Sequence, residues 1–299
     1  MTTIAPPPAP PVTPQPASPP PLSAGGRTAI RVLLIGAAAV LVLGSLGTLS
    51  VAALGLSTFR VITDSKSLPS AMRSLVIDTG RLPMAVRITT DRAATEPRAD
   101  MRMINSTRAG EHPLTVTADG ADTRIAISGE PSPFLQWGRA GEIKVVLPPE
   151  LARRLAVTSR QENGVLMAQA DIDQLTAHTE NGAILLSGSA RRVEAHTDNG
   201  DVITRSAIAV TDSFSATTDN GDVEVDFTDA APRTVEATSD NGDIRIGLPP
   251  RGPYLVNANT GNERGSTVVR VPRTTNSEAA AAVITARTGN GDIVVDDLR

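Results

Sequence analysis

From residue 74 onward, apolar and polar residues alternate in short runs separated by Gly, Pro and Asp. The runs Ser74-Leu75-Val76-Ile77, Ala85-Val86-Arg87-Ile88-Thr89 and Leu114-Thr115-Val116-Thr117 show the pattern first. Arg124-Ile125-Ala126-Ile127-Ser128 and Glu142-Ile143-Lys144-Val145-Val146-Leu147 continue it. A two-residue period places successive side chains on opposite faces of a strand, so each run predicts a β-strand. Pro148-Pro149 closes this first β section. No long helical periodicity follows residue 60, and the chain beyond it is expected to be all-β.

From residue 163 an Asn-Gly step recurs, at Asn163, Asn181, Asn199, Asn220, Asn241 and Asn290. The successive spacings are 18, 18, 21, 21 and 49 residues, and a period near 20 marks a repeat architecture. Aligned on Asn, the sixth residue before it is Val157, Leu175, Val193, Phe214, Val235 or Ile284. The fourth before is Ser159, Ala177, Ala195, Ala216, Ala237 or Ala286, and the second before is Gln161, Thr179, Thr197, Thr218, Ser239 or Thr288. The third after is Leu166, Ile184, Val202, Val223, Ile244 or Ile293; the fifth after is Ala168, Leu186, Thr204, Val225, Ile246 or Val295. Each repeat therefore reads strand, corner, strand, with Asn and Gly supplying the positive φ that a sharp corner needs.

One such unit cannot bury its apolar face alone, and stacked neighbours would form continuous aliphatic columns. Two geometries satisfy the pattern. In a β-solenoid each repeat is one coil and like residues stack about 4.8 Å apart; in an antiparallel meander each Asn-Gly is a type I′ hairpin. Identity between successive columns favours the solenoid. The 49-residue gap is expected to hide a degenerate repeat around Asn259-Thr260-Gly261-Asn262, followed by an excursion from Gly265 to Ala282. The last repeat, Arg287 to Val295, is expected to cap the stack.

Ahead of this lies a different composition. Residues 1–28 form a proline-rich tail, with ten prolines in the first 26 residues, and are expected to be extended or disordered. Between Arg31 and Arg60 no residue carries a charge, and about 20 such residues suffice for a helix to cross a bilayer. Residues 29–59 thus read as a single transmembrane helix, with residues 32–59 in lipid, residues 60–73 as linker and 74–299 as an all-β domain with repeats from about 157. A cleavable signal peptide ending near Ser50-Val51-Ala52 is the rival reading, although its apolar core would be unusually long. Basic residues flank both sides (Arg27 and Arg31; Arg60, Lys66 and Arg73), so their count does not decide topology. The short tail is placed inside and the β domain outside, as a single-pass protein of the cell membrane.

Aromatic residues make up only 2% of the chain, so a core must be filled by small aliphatics. The net charge is −4; removing Arg27, Arg31 and Arg60 from 28 basic residues leaves 25 − 32 = −7 after Arg60, since no acid precedes Asp64. A nucleic-acid binder would show a basic footprint and stacking aromatics, and that class is excluded. With no cysteine there is no disulfide frame and no thiolate zinc site.

The recurring Asn-Gly-Asp-Val/Ile pattern with Thr upstream is carried by Thr197 to Val202, Thr218 to Val223, Thr238 to Ile244 and Thr288 to Ile293. Together with Ile143-Lys144-Val145-Val146-Leu147-Pro148, it resembles the bacterial putative-adhesin family of β-strand repeats, a domain of unknown function. The similarity runs over roughly residues 74–299 and is strongest from 143. It implies a β-solenoid-like fold, a cell-surface or membrane association and no established catalytic residues. The first two repeats depart from it, because Asn163-Gly164 and Asn181-Gly182 lack the following Asp.

Acidic residues flank the corners: Asp198, Asp219 and Asp240 before Asn, Asp201, Asp222 and Asp243 after Gly, with Glu162, Glu180 and Asp292 extending the rows. Stacked charges at strand spacing repel by roughly 1 kcal/mol in water. Ca²⁺, which accepts carboxylate and carbonyl oxygens, would relieve this; alternatively the acids bond to turn backbone and are screened by solvent and Arg. Apart from that calcium, no cofactor is expected. His178 and His196 hold the same position in successive repeats, facing outward as a solvated pair or a metal pair; His112 has no such counterpart. Gly261 to Thr267 lacks the lysine and the spacing of a phosphate loop, Asn105-Ser106-Thr107 fits a glycosylation sequon by chance, and Gly44 with Thr48 form a small-xxx-small pair in the anchor. No zinc-protease or Gly-x-Ser-x-Gly signature occurs, and the chain is expected not to be an enzyme. Three functions remain: a surface-exposed adhesion or binding module for a protein or glycan, a structural or regulatory envelope protein, and, disfavoured by scarce aromatics, a polysaccharide lyase or hydrolase.

Overall fold

The computed structural model describes residues 59–106, 113–127, 141–261 and 265–298. In chain order the strands are β1 (Phe59–Ser67), β2 (Ser74–Gly80), β3 (Met84–Thr90), β4 (Arg98–Ser106), β5 (Leu114–Asp119), β6 (Asp122–Ile127) and β7 (Gly141–Leu147). A four-residue helix, α1 (Pro149–Ala152), follows, with proline at its start, where the missing N–H costs nothing. The repeats supply β8 (Ala156–Asp171), β9 (Gln174–Asn181), β10 (Ile184–Asn199), β11 (Val202–Thr204), β12 (Ala209–Asn220), β13 (Val223–Asp226), β14 (Thr234–Asn241) and β15 (Ile244–Leu248). The chain ends in β16 (Leu255–Thr260), β17 (Thr267–Val269), β18 (Val283–Asn290) and β19 (Ile293–Asp297).

The repeats pair in parallel and in register, as stacked coils require and hairpins would not. Asn163 lies opposite Asn181, then Asn199, Asn220, Asn241 and Asn290. Each rung has a first side before the corner and a second side after it. β8 carries both sides of its rung, while β10 runs from the second side of one rung into the first side of the next. The first side reads β5-β6-β2-β8-β9-β10-β12-β14-β18-β16 and the second β1-β4-β7-β3-β8-β10-β11-β13-β15-β19-β17. Among these pairings β5–β6, β1–β4 and β4–β7 are antiparallel; they lie at the N-terminal end.

The columns read from the sequence form the core. Val157, Leu175, Val193, Phe214, Val235 and Ile284 are all buried on the first side, as are Leu166, Ile184, Val202, Val223, Ile244 and Ile293 on the second. Each contributes about 1.5–3 kcal/mol of burial. Ala177, Ala195, Ala216, Ala237 and Ala286 keep the interior narrow, and the two buried phenylalanines of the middle rungs, Phe214 and Phe227, meet edge to face at 5.2 Å. Leu75 joins the first-side column opposite Val157, and Val86 joins the second opposite Leu166, so the stack extends to rungs without Asn-Gly.

Two expectations change. Residues 60–73, read as linker, contain most of β1, whose nine residues pair with β4. The degenerate repeat lies where expected, with Thr260 opposite Thr288 in the Thr column. The last repeat does not cap the stack: β18 lies between β14 and β16, and β19 between β15 and β17. The excursion after Gly265 supplies β17 to the terminal rung. The proline-rich tail and the expected anchor, save Phe59, lie outside the described residues, as do His112 and Trp137. Among the described residues no helix is long and apolar enough to cross a membrane.

Candidate functional site

Among the described residues, the corners carry side-chain hydrogen bonds that repeat from rung to rung. At Gly221 φ is +156°, and a Cβ there would sit 2.0 Å from the carbonyl oxygen of Gly200. Gly182, Gly200, Gly242 and Gly291 meet the preceding glycine in the same way, so the corner needs glycine for both backbone conformation and close approach.

Four parallel hydrogen-bond ladders join successive corners. The Asn220 side-chain amide donates to the Asn199 Oδ1 at 3.1 Å, and Asn199 to Asn181, Asn241 to Asn220 and Asn290 to Asn241 repeat the contact. The N–H groups of Gly182, Gly200, Gly221 and Gly242 donate to the asparagine carbonyl of the next rung, as from Gly200 to Asn220 at 2.9 Å. The buried hydroxyls of Thr197, Thr218, Ser239 and Thr288 donate to the glycine carbonyl of the rung before, at 2.8–3.0 Å. Gln161 breaks the Thr/Ser column for a visible reason: its amide donates to the Met84 carbonyl, where a strand without Asn-Gly takes the glycine's place.

The fourth ladder holds the acidic residues that follow the corner glycines. The Oδ1 of Asp201 accepts the Asp222 amide at 2.9 Å, that of Asp222 the Asp243 amide, and that of Asp243 the Asp292 amide, both at 2.8 Å. Asp292 in turn accepts the Ser266 amide and hydroxyl, which hold its carboxyl below the usual carboxylate range. One oxygen of each acid is thereby committed to the next rung. Asp198, Asp219 and Asp240 form the separate outer row before Asn; Asp198 faces His196, and Asp219 and Asp240 are exposed. Among the described residues no three or more His, Asp or Glu side chains converge on one point as a metal cluster would.

His178 and His196 lie directly opposite one another in β9 and β10, with rings stacked at 5.0 Å and 3° from parallel. A further cluster, not singled out from sequence, ties the far corner: Arg191 bonds both carboxylate oxygens of Asp173, and Asp212 pairs with Arg191 and Arg192. The Arg191 guanidinium keeps the Asp173 carboxyl below its ordinary range. The signal was present as Asp-Arg pairs about one repeat apart, but long side chains at a corner have no fixed direction in a sequence pattern.

Residues 153–296 match the Toastrack family, DUF4097. The family is one of unknown function in bacterial proteins. The match begins just before β8 and leaves the N-terminal rungs, β1 to β7, outside it. Solved structures similar to the chain include a putative cell adhesion protein from Clostridium sporogenes, at 11% identity and TM-score 0.37, with 80% of this chain and 100% of that one covered. Putative adhesins from Bacteroides fragilis (12%, TM-score 0.40) and Parabacteroides distasonis (11%, TM-score 0.41) each cover 80% of this chain and 97% of their own. No curated protein matches the chain.

Proposed function

We propose that this chain is a membrane-anchored, surface-exposed binding module of the bacterial envelope, held in the bilayer by residues 32–58, and that it is not an enzyme. The observation that carries this reading is the register of the stack, which lines up side chains of like position into straight rows at strand spacing. Such rows suit an extended partner, a protein strand or an envelope glycan, whose groups also repeat. The uncharged run that ends where β1 begins supports an anchor close to the domain. A second reading, a structural spacer or regulatory envelope protein without its own ligand, is favoured by the continuous amide and carboxylate ladders, which would stiffen the stack.

Protease shaving of intact cells tests the placement: cleavage of the β domain without lysis is expected, and protection until lysis overturns it. The full chain in detergent, applied to arrayed envelope glycans and pulled down against envelope proteins, separates the two readings. Saturable capture of one partner supports binding, whereas its absence, with a stress phenotype when residues 1–28 alone are deleted, supports the spacer.

A further inference from the structure

We infer that His178 and His196 form a two-histidine site for a divalent transition cation on the outer side of β9 and β10. The site is distinct from the carboxylate ladder of Asp201, Asp222 and Asp243 and independent of the adhesion reading. Three observations converge on it. The two residues are register partners on adjacent parallel strands, so their side chains leave the sheet side by side in the same direction. Their rings are already stacked, 5.0 Å apart and 3° from parallel, so little rotamer freedom is lost on binding. Asp198 then completes the arrangement: its Oδ1 lies 3.1 Å from the His196 Nε2. A carboxylate that accepts the hydrogen bond of one ring N–H fixes the tautomer and leaves the other nitrogen, Nδ1, with its lone pair for a metal.

Metal–imidazole bonds of about 2.0–2.1 Å bring two ligating nitrogens within about 4 Å of each other. Stacked rings at 5.0 Å reach this by tilting toward one another, which exposed side chains do without moving the strands. The surroundings favour a cation. Glu180 and Asp198 stand in neighbouring positions of the outer acidic row and Glu194 lies two residues before His196; Arg160, opposite His178 on β8, is the one opposing charge in the histidine column beside the pair. Imidazole ligands select Cu²⁺, Ni²⁺ and Zn²⁺ over Ca²⁺ and Mg²⁺, with Cu²⁺ bound most tightly. Water fills the remaining coordination positions.

The test is titration of the untagged full chain in detergent with Cu²⁺, Ni²⁺ and Zn²⁺, with electron paramagnetic resonance of the copper complex. One copper per chain is expected, with hyperfine structure from two imidazole nitrogens. His178→Ala and His196→Ala should each weaken binding at least about tenfold and leave a one-nitrogen spectrum. Asp198→Asn should weaken it about tenfold while keeping both nitrogens. Both histidines face outward, so the variants should melt with the parent. Unchanged copper affinity in H178A and H196A, or a parent spectrum with one imidazole nitrogen, overturns the site.

Discussion

The two ends of the stack solve the same problem differently. At the C-terminal end the chain leaves β14 and β15, builds an outer rung from β16 and β17, then returns to slot β18 and β19 into the space between. At the N-terminal end β2 and β3 are likewise flanked by rungs from elsewhere in the chain, β6 and β7 on one side and β8 on the other. There, antiparallel β4 and β1 continue the second side and antiparallel β5 covers the first. The difference lies in what an interior position demands. Between β14 and β16 a rung must match on both sides, and the complete motif of the last repeat does so: Gly291 approaches the Gly242 carbonyl as only glycine can. The degenerate repeat pairs on one side only and takes the edge. The rung of β2 and β3 lies inside without Asn-Gly because its corner is wider, with Leu82 buried in it and Gln161 supplying the missing hydrogen bond.

The sharpest way to break this comparison is to end the chain after Ala282. β16 and β17 pair with β18 and β19 alone in the described stack, so hydrogen exchange across 255–269 should rise at least about a hundredfold while β9 and β12 stay protected. Retained protection at 255–269 would contradict the inserted rung. Phe214→Ala, in the middle, should cost about 3–5 kcal/mol, against about 1 kcal/mol or less for Val256→Ala on the half-buried terminal rung, measured by denaturant unfolding. Gly221→Ala should cost about 3 kcal/mol from backbone strain and overlap, lowering Tm by about 6–12 °C. Gly120→Ala, at φ +59° in the β5–β6 turn with open space around it, should cost only about 1–2 kcal/mol. Equal losses at the two glycines would mean that close approach between corners is not what selects glycine.

The smallest effect concerns acid. Asp173 and Asp292 have carboxyls held below their ordinary range, so each stabilises the fold above the unfolded pKa of about 4 and loses that contribution as pH falls through its lower folded value. The Tm difference between the parent and Asp292→Asn or Asp173→Asn should therefore shrink below about pH 4. A gap that persists undiminished at pH 2 would point to packing rather than charge.

The aliphatic columns, the corner glycines and the His178–His196 juxtaposition were legible in the sequence because period two and a near-constant repeat dictate all three. Spatial order was not. Every repeat carries the same columns, so the pattern accepts either order of the last two rungs, and the quality of the match at Gly291 against Gly261 decides only when both neighbours are in place. β1 was not legible because its first residue, Phe59, is the last of the uncharged run before Arg60, and its partner, β4, is distant in the chain. Of the acidic rows the positions were readable, but not that Asp201, Asp222 and Asp243 each spend an oxygen on the amide of the next rung.

The absence of cysteine makes one measurement decisive for rung order. Thr238 and Asn259 each lie opposite Arg287 on adjacent strands, within the Cα separation a disulfide tolerates, and two strands apart from each other. Under mild oxidation, Thr238→Cys with Arg287→Cys and Asn259→Cys with Arg287→Cys should crosslink within the chain, while Thr238→Cys with Asn259→Cys should not. Rapid crosslinking of the third pair and none of the first would place the rungs in sequence order and contradict the inserted last repeat.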